Sequence, residues 1–397
     1  MPDDLAPAAA APCLSSTIAG TDSPPIPAAR AWAARYRGDQ GPLIDLTQAV
    51  PGYPPPADLL GRLAMAAGDP ASAGYGPILG DSPLREALAA DISARYGAQV
   101  SAEEVAITAG CNLAFAMAME TIASPGEAVM LAAPWYFNHR MALSMRGVAA
   151  APLPCRAEDG FVPDPERAAA ALGPEVRAIV LVTPNNPTGA IYPPETIAAF
   201  AALARTRGLW LVLDETYRDF LPSEAPPHAL FRDPTWREGV VHLYSFSKAY
   251  CVPGHRIGAV VAGKCFLEAF AKAADTLQIC APRAPQAPLA WAIEGLRSWR
   301  ERNRAVMARR AEAFGAALSA APAWRIDALG GYFAYVRVPR ILPDAVAVAE
   351  RLAAEQGLLL LPGPFFGPGQ ERYLRVAFAN ADEATLASVP ARLAALA

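Results

Sequence analysis

Between residues 105 and 261 the chain repeats one pattern: a short, mainly apolar run, a polar turn, and then a stretch long enough for a helix. The runs cover 105–108, 128–131, 178–182, 209–213, 240–244 and 257–261. Continuous apolar runs separated by helices fit strands buried on both faces, the mark of a mostly parallel sheet. Such sheets bind ligands outside the carboxyl ends of their strands. The polar residues gather there. Gly110, Cys111 and Asn112 follow the first run, and Asn185 and Asn186 follow the third; Asp214 closes the fourth and Lys248 follows the fifth. Otherwise four unrelated coincidences would be needed. The expectation is an α/β fold with one site at the carboxyl edge of its sheet.

The fifth run leads into Ser245-Phe246-Ser247-Lys248-Ala249-Tyr250-Cys251-Val252-Pro253-Gly254-His255-Arg256-Ile257-Gly258. A lysine beside two serines at the end of such a strand is out of place in a core. Lysine amines form imines with carbonyl cofactors, pyridoxal phosphate above all. The Ser245 hydroxyl and the Arg256 fork suit a phosphate dianion. Taken alone, the stretch also fits a surface loop with an ordinary lysine and arginine.

This stretch resembles the lysine signature of the class I and II pyridoxal-phosphate aminotransferases, of fold type I in the aspartate aminotransferase superfamily. The resemblance extends over residues 43–397 and its motifs keep family order. It implies a large domain with a mostly parallel seven-stranded sheet flanked by helices, plus a smaller α+β domain. We expect an N-terminal arm and small-domain segment over 1–42, the large cofactor domain over 43–290, and the small domain over 291–397.

Several residues carry a physical argument beside the resemblance. A carboxylate at the end of a buried strand, as at Asp214, is costly without a cationic partner. A pyridinium nitrogen provides one, and the pairing keeps the ring able to accept electrons. A helix N-cap is the competing role for Asp214. Gly110, Cys111 and Asn112 open a helix, whose first N–H groups bind phosphate without a charged side chain. Cys111 departs from the family's usual residues, so its part should be backbone only. Arg375, amid apolar residues, has the fork that grips a carboxylate at two points; a surface strand arginine paired with an acid competes. Its position matches the family's carboxylate-binding arginine.

Other roles are implied by the resemblance alone. Asn186, in the Asn186-Pro187-Thr188-Gly189 signature, and Tyr217 would hydrogen-bond the cofactor's phenolic oxygen. Asn186 would also face the substrate. Tyr136 would stack on the pyridine ring, with Trp135 as its rival, and His139 would lie behind Asp214. Tyr75, in Gly74-Tyr75-Gly76, would cross a dimer interface to the partner's phosphate; a loop aromatic packed on its own domain is the alternative. The loop 51–56 would pass over the substrate. The family's glycine near Ala49 is missing here.

Composition closes off other classes. A 53% hydrophobic chain with net charge −4 gives no hint of nucleic-acid or membrane binding. Six cysteines without a CxxC pair point to reduced thiols and no metal site. The acidic start lacks the basic region of a signal peptide, and no apolar run approaches the roughly 20 residues that span a bilayer. The expected location is cytoplasmic. Residues up to about 20 read as an arm without a period, and 28–36 as a short helix. After residue 291 a long arginine-bearing helix, strands at 331–336 and 374–378 and a final helix over 383–396 suit the smaller domain.

The expected function is transamination between an L-amino acid and a 2-oxo acid, in a homodimer with shared active sites. Lys248 would hold the cofactor as an internal aldimine and later act as the base. Elimination by a C–S or β/γ-lyase, a cyclising synthase or an oxidase would use the same cofactor residues. A ligand sensor is disfavoured, because no DNA-binding domain is visible and the charge is acidic. The resemblance puts the second arginine of dicarboxylate-specific relatives, supplied by the partner subunit, at Ala281, with Arg283 two residues off. With the apolar and aromatic loop 50–56, this favours a neutral, bulky or aromatic amino acid, while Arg283 leaves an acidic substrate as the alternative.

Overall fold

All six apolar runs become strands of one sheet in the computed structural model, which describes residues 12–396. They are Val105–Thr108, Ala128–Ala133, Val176–Val182, Trp210–Asp214, Val240–Ser245 and Gly258–Val261. A seventh strand, Ala149–Pro154, pairs in parallel with Ala128–Ala133 at one edge. Its Pro152 and Pro154 hide it from a reading by pattern; an edge position tolerates them because one side needs no ladder. Gly258–Val261 runs antiparallel to both its neighbours, and the other pairings are parallel. The mostly parallel seven-stranded sheet is therefore present.

Period-two alternation splits each strand between two buried layers. Along Val240–Ser245, Val240 and Tyr244 pack in one layer, while Val241 and Leu243 pack in the other. The first layer includes residues of the helices Ser82–Tyr96 and Gln286–Gly295; the second includes residues of Cys111–Ile122 and Lys264–Gln278.

A separate antiparallel sheet has the order Leu361–Pro362, Tyr373–Val376, Phe333–Arg337, Arg325–Gly330. The two inner strands are the expected ones. Arg325–Gly330 has no fully buried residue, and Leu361–Pro362 is two residues long, so neither shows a buried face by period. The helices Arg297–Leu318, Ala345–Gln356 and Glu383–Ala394 contribute to this second core. Ile44–Asp45, just past the expected boundary at 43, pairs with Leu358–Leu359, and Ile44 and Leu46 pack in the same core.

Near the start, Ser16–Ala19 is a single helical turn and the next helix is Pro25–Ala33, not 28–36. Pro25 takes the first helical position, where a fixed φ and a missing N–H cost nothing. The remainder of the expected arm, residues 1–11, lies outside the described residues.

Arg392 ties the two ends of the smaller core together. Its side chain is buried and donates to the carbonyls of Gln40, Pro42, Gln356 and Gly357 at 2.7–3.0 Å. Arg392→Met removes those four bonds; the Gly357 carbonyl keeps the Ile44 N–H, but the others lose their donor, so unfolding should become easier by about 2–4 kcal/mol. Urea unfolding checks this; an unchanged midpoint would show that the tie is dispensable.

Candidate active site

A cavity of about 530 Å³ opens at the carboxyl edge of the large sheet. Lys248, Asp214, Tyr217, Asn186, Cys111, Asn112, Tyr136, Ser245, Arg256 and Arg375 all line it. Residues distant in the chain, chosen by type and position, thus converge on one space. Two expected residues do not line it. Gly110 lies beneath Arg256, where an added Cβ would come 2.1 Å from the guanidinium, and its φ of +90° also favours glycine. Tyr75 is 80% exposed on its own chain, so the packed loop aromatic is not what the structure shows.

Asp214 ends its strand facing the cavity. His139 Nε2 stands 3.2 Å from one carboxylate oxygen, and the Thr216 N–H donates to the other at 3.0 Å. His139 is itself fixed by stacking on Phe115 at 3.9 Å. Burial alone would raise the Asp214 carboxyl; His139 and then Thr216 outweigh it and hold the group below its ordinary value. Burial, with Asp214 next, pushes the Cys111 thiol up, so it stays neutral. The site thus holds a carboxylate ready for a cationic ring nitrogen.

Arg375 reaches the same space from the Tyr373–Val376 strand. It is 2% exposed and lies 4.9 Å from the centres of the Phe333 and Phe366 rings. One guanidinium nitrogen donates to Asn186 Oδ1 at 2.9 Å and another to the Thr47 carbonyl. The described residues give it no ion pair within 4.0 Å, and its Nε is buried without a partner. Burial brings its pKa down to about 10. A surface ion pair is therefore not its role: a buried guanidinium short of negative charge suits an incoming carboxylate.

The other groups complete a cradle. Arg256 stands over Gly110 at the start of the Cys111–Ile122 helix, whose first N–H groups have no partner within the helix. Ser245 and Ser247 share that wall. Tyr136 faces the cavity and accepts from Asn138 Nδ2 at 2.9 Å. Trp135 lies outside it, against Gly367, so of the two aromatics Tyr136 is the one that lines the cavity. These residues fit pyridoxal phosphate: donors for a phosphate, an acid for the ring nitrogen and an amine for the aldehyde.

Part of the wall escaped the sequence reading. Pro24, Pro25, Ile26, Pro27 and Arg30, at the N-terminal helix, line the cavity, as do Thr47 and Gln48. No local motif marks them. Ala49, standing where a glycine is usual, is buried, and its carbonyl accepts from Lys248 Nζ. Arg283 does not line this chain's cavity: it donates to the Ala71 carbonyl at 2.8 Å, lies 3.6 Å from Asp81 and packs against Gly76, beside Tyr75.

Burial, followed by the charges of Arg375 and Arg256, brings the Lys248 ammonium down to about 8. The unfolded chain keeps this lysine at 10.5, so it binds more protons than the fold between those values. Stability therefore rises as pH climbs from about 8 to 10.5. In protein freed of cofactor, acylation of Lys248 followed by mass spectrometry should show a midpoint near 8; a midpoint above 10 would contradict the electrostatics.

The family model for aminotransferase class I and II matches residues 36–393. An aromatic aminotransferase of Arabidopsis thaliana is 28% identical over 96% of this chain and 95% of its own length. An aspartate/prephenate aminotransferase of Thermus thermophilus is 29% identical over 90% and 91%. The solved Thermus thermophilus aspartate aminotransferase with maleate superposes with a TM-score of 0.88 at 27% identity, covering 98% of this chain and all of that one. The chain belongs to the aminotransferase class I and II family and is a pyridoxal-phosphate-dependent aminotransferase of fold type I.

Proposed function

We propose that this aminotransferase takes a neutral, bulky or aromatic L-amino acid as donor and a 2-oxo acid as acceptor, and works as a cytoplasmic homodimer. The observation that carries the substrate reading is the cavity wall. Ile26, Val50, Phe137, Val182 and four prolines give it an apolar part, and Arg30, which also lines it, is engaged by Asp45 and Gln48. Relatives named for aromatic and for aspartate/prephenate substrates both stand near this chain, and the apolar wall favours the first kind.

Pyridoxal phosphate, when bound, supplies the sink for electrons released at the substrate's Cα. The protein does the rest. Asp214, kept ionised by His139 and Thr216, would hold the proton on the ring nitrogen. Tyr217 and Asn186 would hydrogen-bond the phenolic oxygen, and Tyr136 would cover the ring face. Ser245, Arg256 and the backbone of Gly110, Cys111 and Asn112 would hold the phosphate. Arg375 would grip the substrate carboxylate, with Asn186 beside it, and so orient the Cα–H bond. Lys248 would hold the group through its amine and, with that amine free, take the proton from the substrate's Cα. Its depressed pKa suits a base at neutral pH.

Tyr75 reaches the neighbouring subunit's phosphate in this reading. Its exposure, with that of Met65, Leu277 and Ile279, supports a covered face. No helix among the described residues is long and apolar enough to cross a membrane. We place the large unit between about residues 50 and 296 and the small unit in the segments flanking it. Ile44 and Leu46 pack in the smaller core, and the chain breaks between two helices at Leu296.

Three measurements test this reading. Arg375→Ala should lose about 2–5 kcal/mol of transition-state binding with amino acids and far less with amines lacking the carboxylate; equal losses would assign Arg375 another task. Tyr75→Ala and Lys248→Ala, each inactive, should regain part of the activity when mixed and allowed to exchange subunits, whereas an active monomer by light scattering rules out shared sites. Incubation with amino acids and no acceptor should convert the cofactor to its amine form, fastest with aromatic donors, and a 2-oxo acid should reverse it. Release of ammonia or peroxide would point to a lyase or oxidase, and selectivity for aspartate or glutamate would overturn the substrate reading.

A further inference from the structure

Two of the protein's four histidines meet one carboxylate inside the core. The carboxylate is Glu215, directly after Asp214, fully buried and outside the walls of the active-site cavity. Its Oε2 accepts the Tyr96 hydroxyl, stands 3.0 Å from His242 Nε2 and lies 3.5 Å from His228 Nε2. His228 Nδ1 accepts the Leu230 N–H at 3.2 Å. That bond leaves the neutral ring's proton on Nε2, facing the carboxylate. Three distant parts of the chain thus converge on one oxygen: the end of the Ser82–Tyr96 helix, the loop holding His228, and the Val240–Ser245 strand. Among the described residues no group of acids, histidines and cysteines is placed to hold a metal ion.

A buried ionised carboxylate is a poor way to fill a core, since apolar residues of the same shape serve as well or better. Burial opposes the charge, and His228 and then His242 overcome it, so Glu215 stays ionised. Its place in the sheet says what the arrangement accomplishes. The Glu215 N–H donates to the Leu243 carbonyl at 3.0 Å, past the last paired residues of the two strands, Asp214 and Leu243. One strand delivers Asp214 and Tyr217 to the cavity; the other delivers Ser245 and Lys248. Side chains alternate at a strand end. Fixing Glu215 on one side therefore fixes Asp214 on the other, and His242 ties Glu215 to the strand that leads to Lys248.

We propose that Glu215, held by Tyr96, His228 and His242, is a positioning residue that sets Asp214 at a fixed distance and angle from Lys248. The inference rests on the roles given above to Asp214 and Lys248. Misplacing a reacting group by about 1 Å costs on the order of 100-fold in rate, so small slippage between these two strands would be felt in turnover.

The test compares Glu215→Leu, Glu215→Gln and Tyr96→Phe as holoenzymes, by steady-state kinetics and by the visible band of the cofactor. Glu215→Leu should lower kcat about 10- to 100-fold with KM changed less than about threefold, and should shift the band. Glu215→Gln keeps an acceptor oxygen and should recover most of the rate. Tyr96→Phe removes one donor and should lower kcat several-fold at unchanged KM; it decides the question if Glu215→Leu does not fold. Variants with reduced thermal stability but parental kcat and an unshifted band would reduce Glu215 to a structural residue and overturn the proposal. Lys248→Ala runs alongside: full turnover there would sink the assignment of the site itself, and this inference with it.

Discussion

The site depends on a cation that the protein leaves uncompensated. Arg375 is enclosed by two phenylalanine rings and bonded to an amide and a backbone carbonyl, with burial lowering its pKa to about 10. Taking a guanidinium out of water costs several kcal/mol unless a good anionic partner repays it. The same cavity holds Lys248, whose ammonium is destabilised by burial and by Arg375 and Arg256. Positive potential therefore accumulates where Asp214, already engaged by His139 and Thr216, is the one carboxylate on the wall. Two anions, such as a phosphate and a carboxylate, would relieve that potential. The depressed lysine is a consequence of the same imbalance, which is how a residue normally charged at neutral pH becomes available as a base.

The sheet makes this imbalance affordable. Its strands end together, so Asp214, Asn186 and Lys248 enter one space without long loops, and period-two alternation decides which side chains point into it. Asp214 and His139 illustrate the division of labour. The strand supplies the carboxylate; the helix Phe137–Met145 supplies the histidine that keeps it ionised; Phe115, from the helix Cys111–Ile122, holds the histidine ring. Each contact draws on a different element, so the charge state of Asp214 is a property of the packed fold and not of its local sequence.

That distinction explains what the amino-acid order reveals. Runs such as 178–182 and 240–244 carry their own period, and the residues after them sit where strand ends must place ligands. Ala149–Pro154 lacks such a signal because its two prolines contradict the usual strand, and only the edge position resolves the conflict. Arg325–Gly330 has no fully buried residue, so its place comes from its neighbour Phe333–Arg337. That Tyr136 lines the cavity and Trp135 does not depends on the packing of Trp135 on Gly367. Arg30, Thr47 and Gln48 are the hardest to foresee. Thr47 and Gln48 reach the cavity because Ile44–Asp45 is pinned to Leu358–Leu359, and Arg30 because Ala29 of its helix packs with Ala353, Leu359 and Leu361, contacts across more than three hundred residues that no local pattern encodes.

The same pinning gives the segment 44–49 a physical part in the site. Ile44 and Leu46 are buried in the smaller core, whereas Ala49 meets Lys248, which follows a strand of the larger sheet. Between them, the Thr47 carbonyl accepts from Arg375, itself on a strand of the smaller sheet. The Asp45 side chain in turn accepts from the Thr47 N–H and hydroxyl, and Ile44 is anchored in the core, so the carbonyl that meets Arg375 is held from behind. The Arg375 Nε is still left without a partner. One short stretch of main chain therefore contacts both the guanidinium and the Lys248 amine, which is why residues with no local motif belong to this wall.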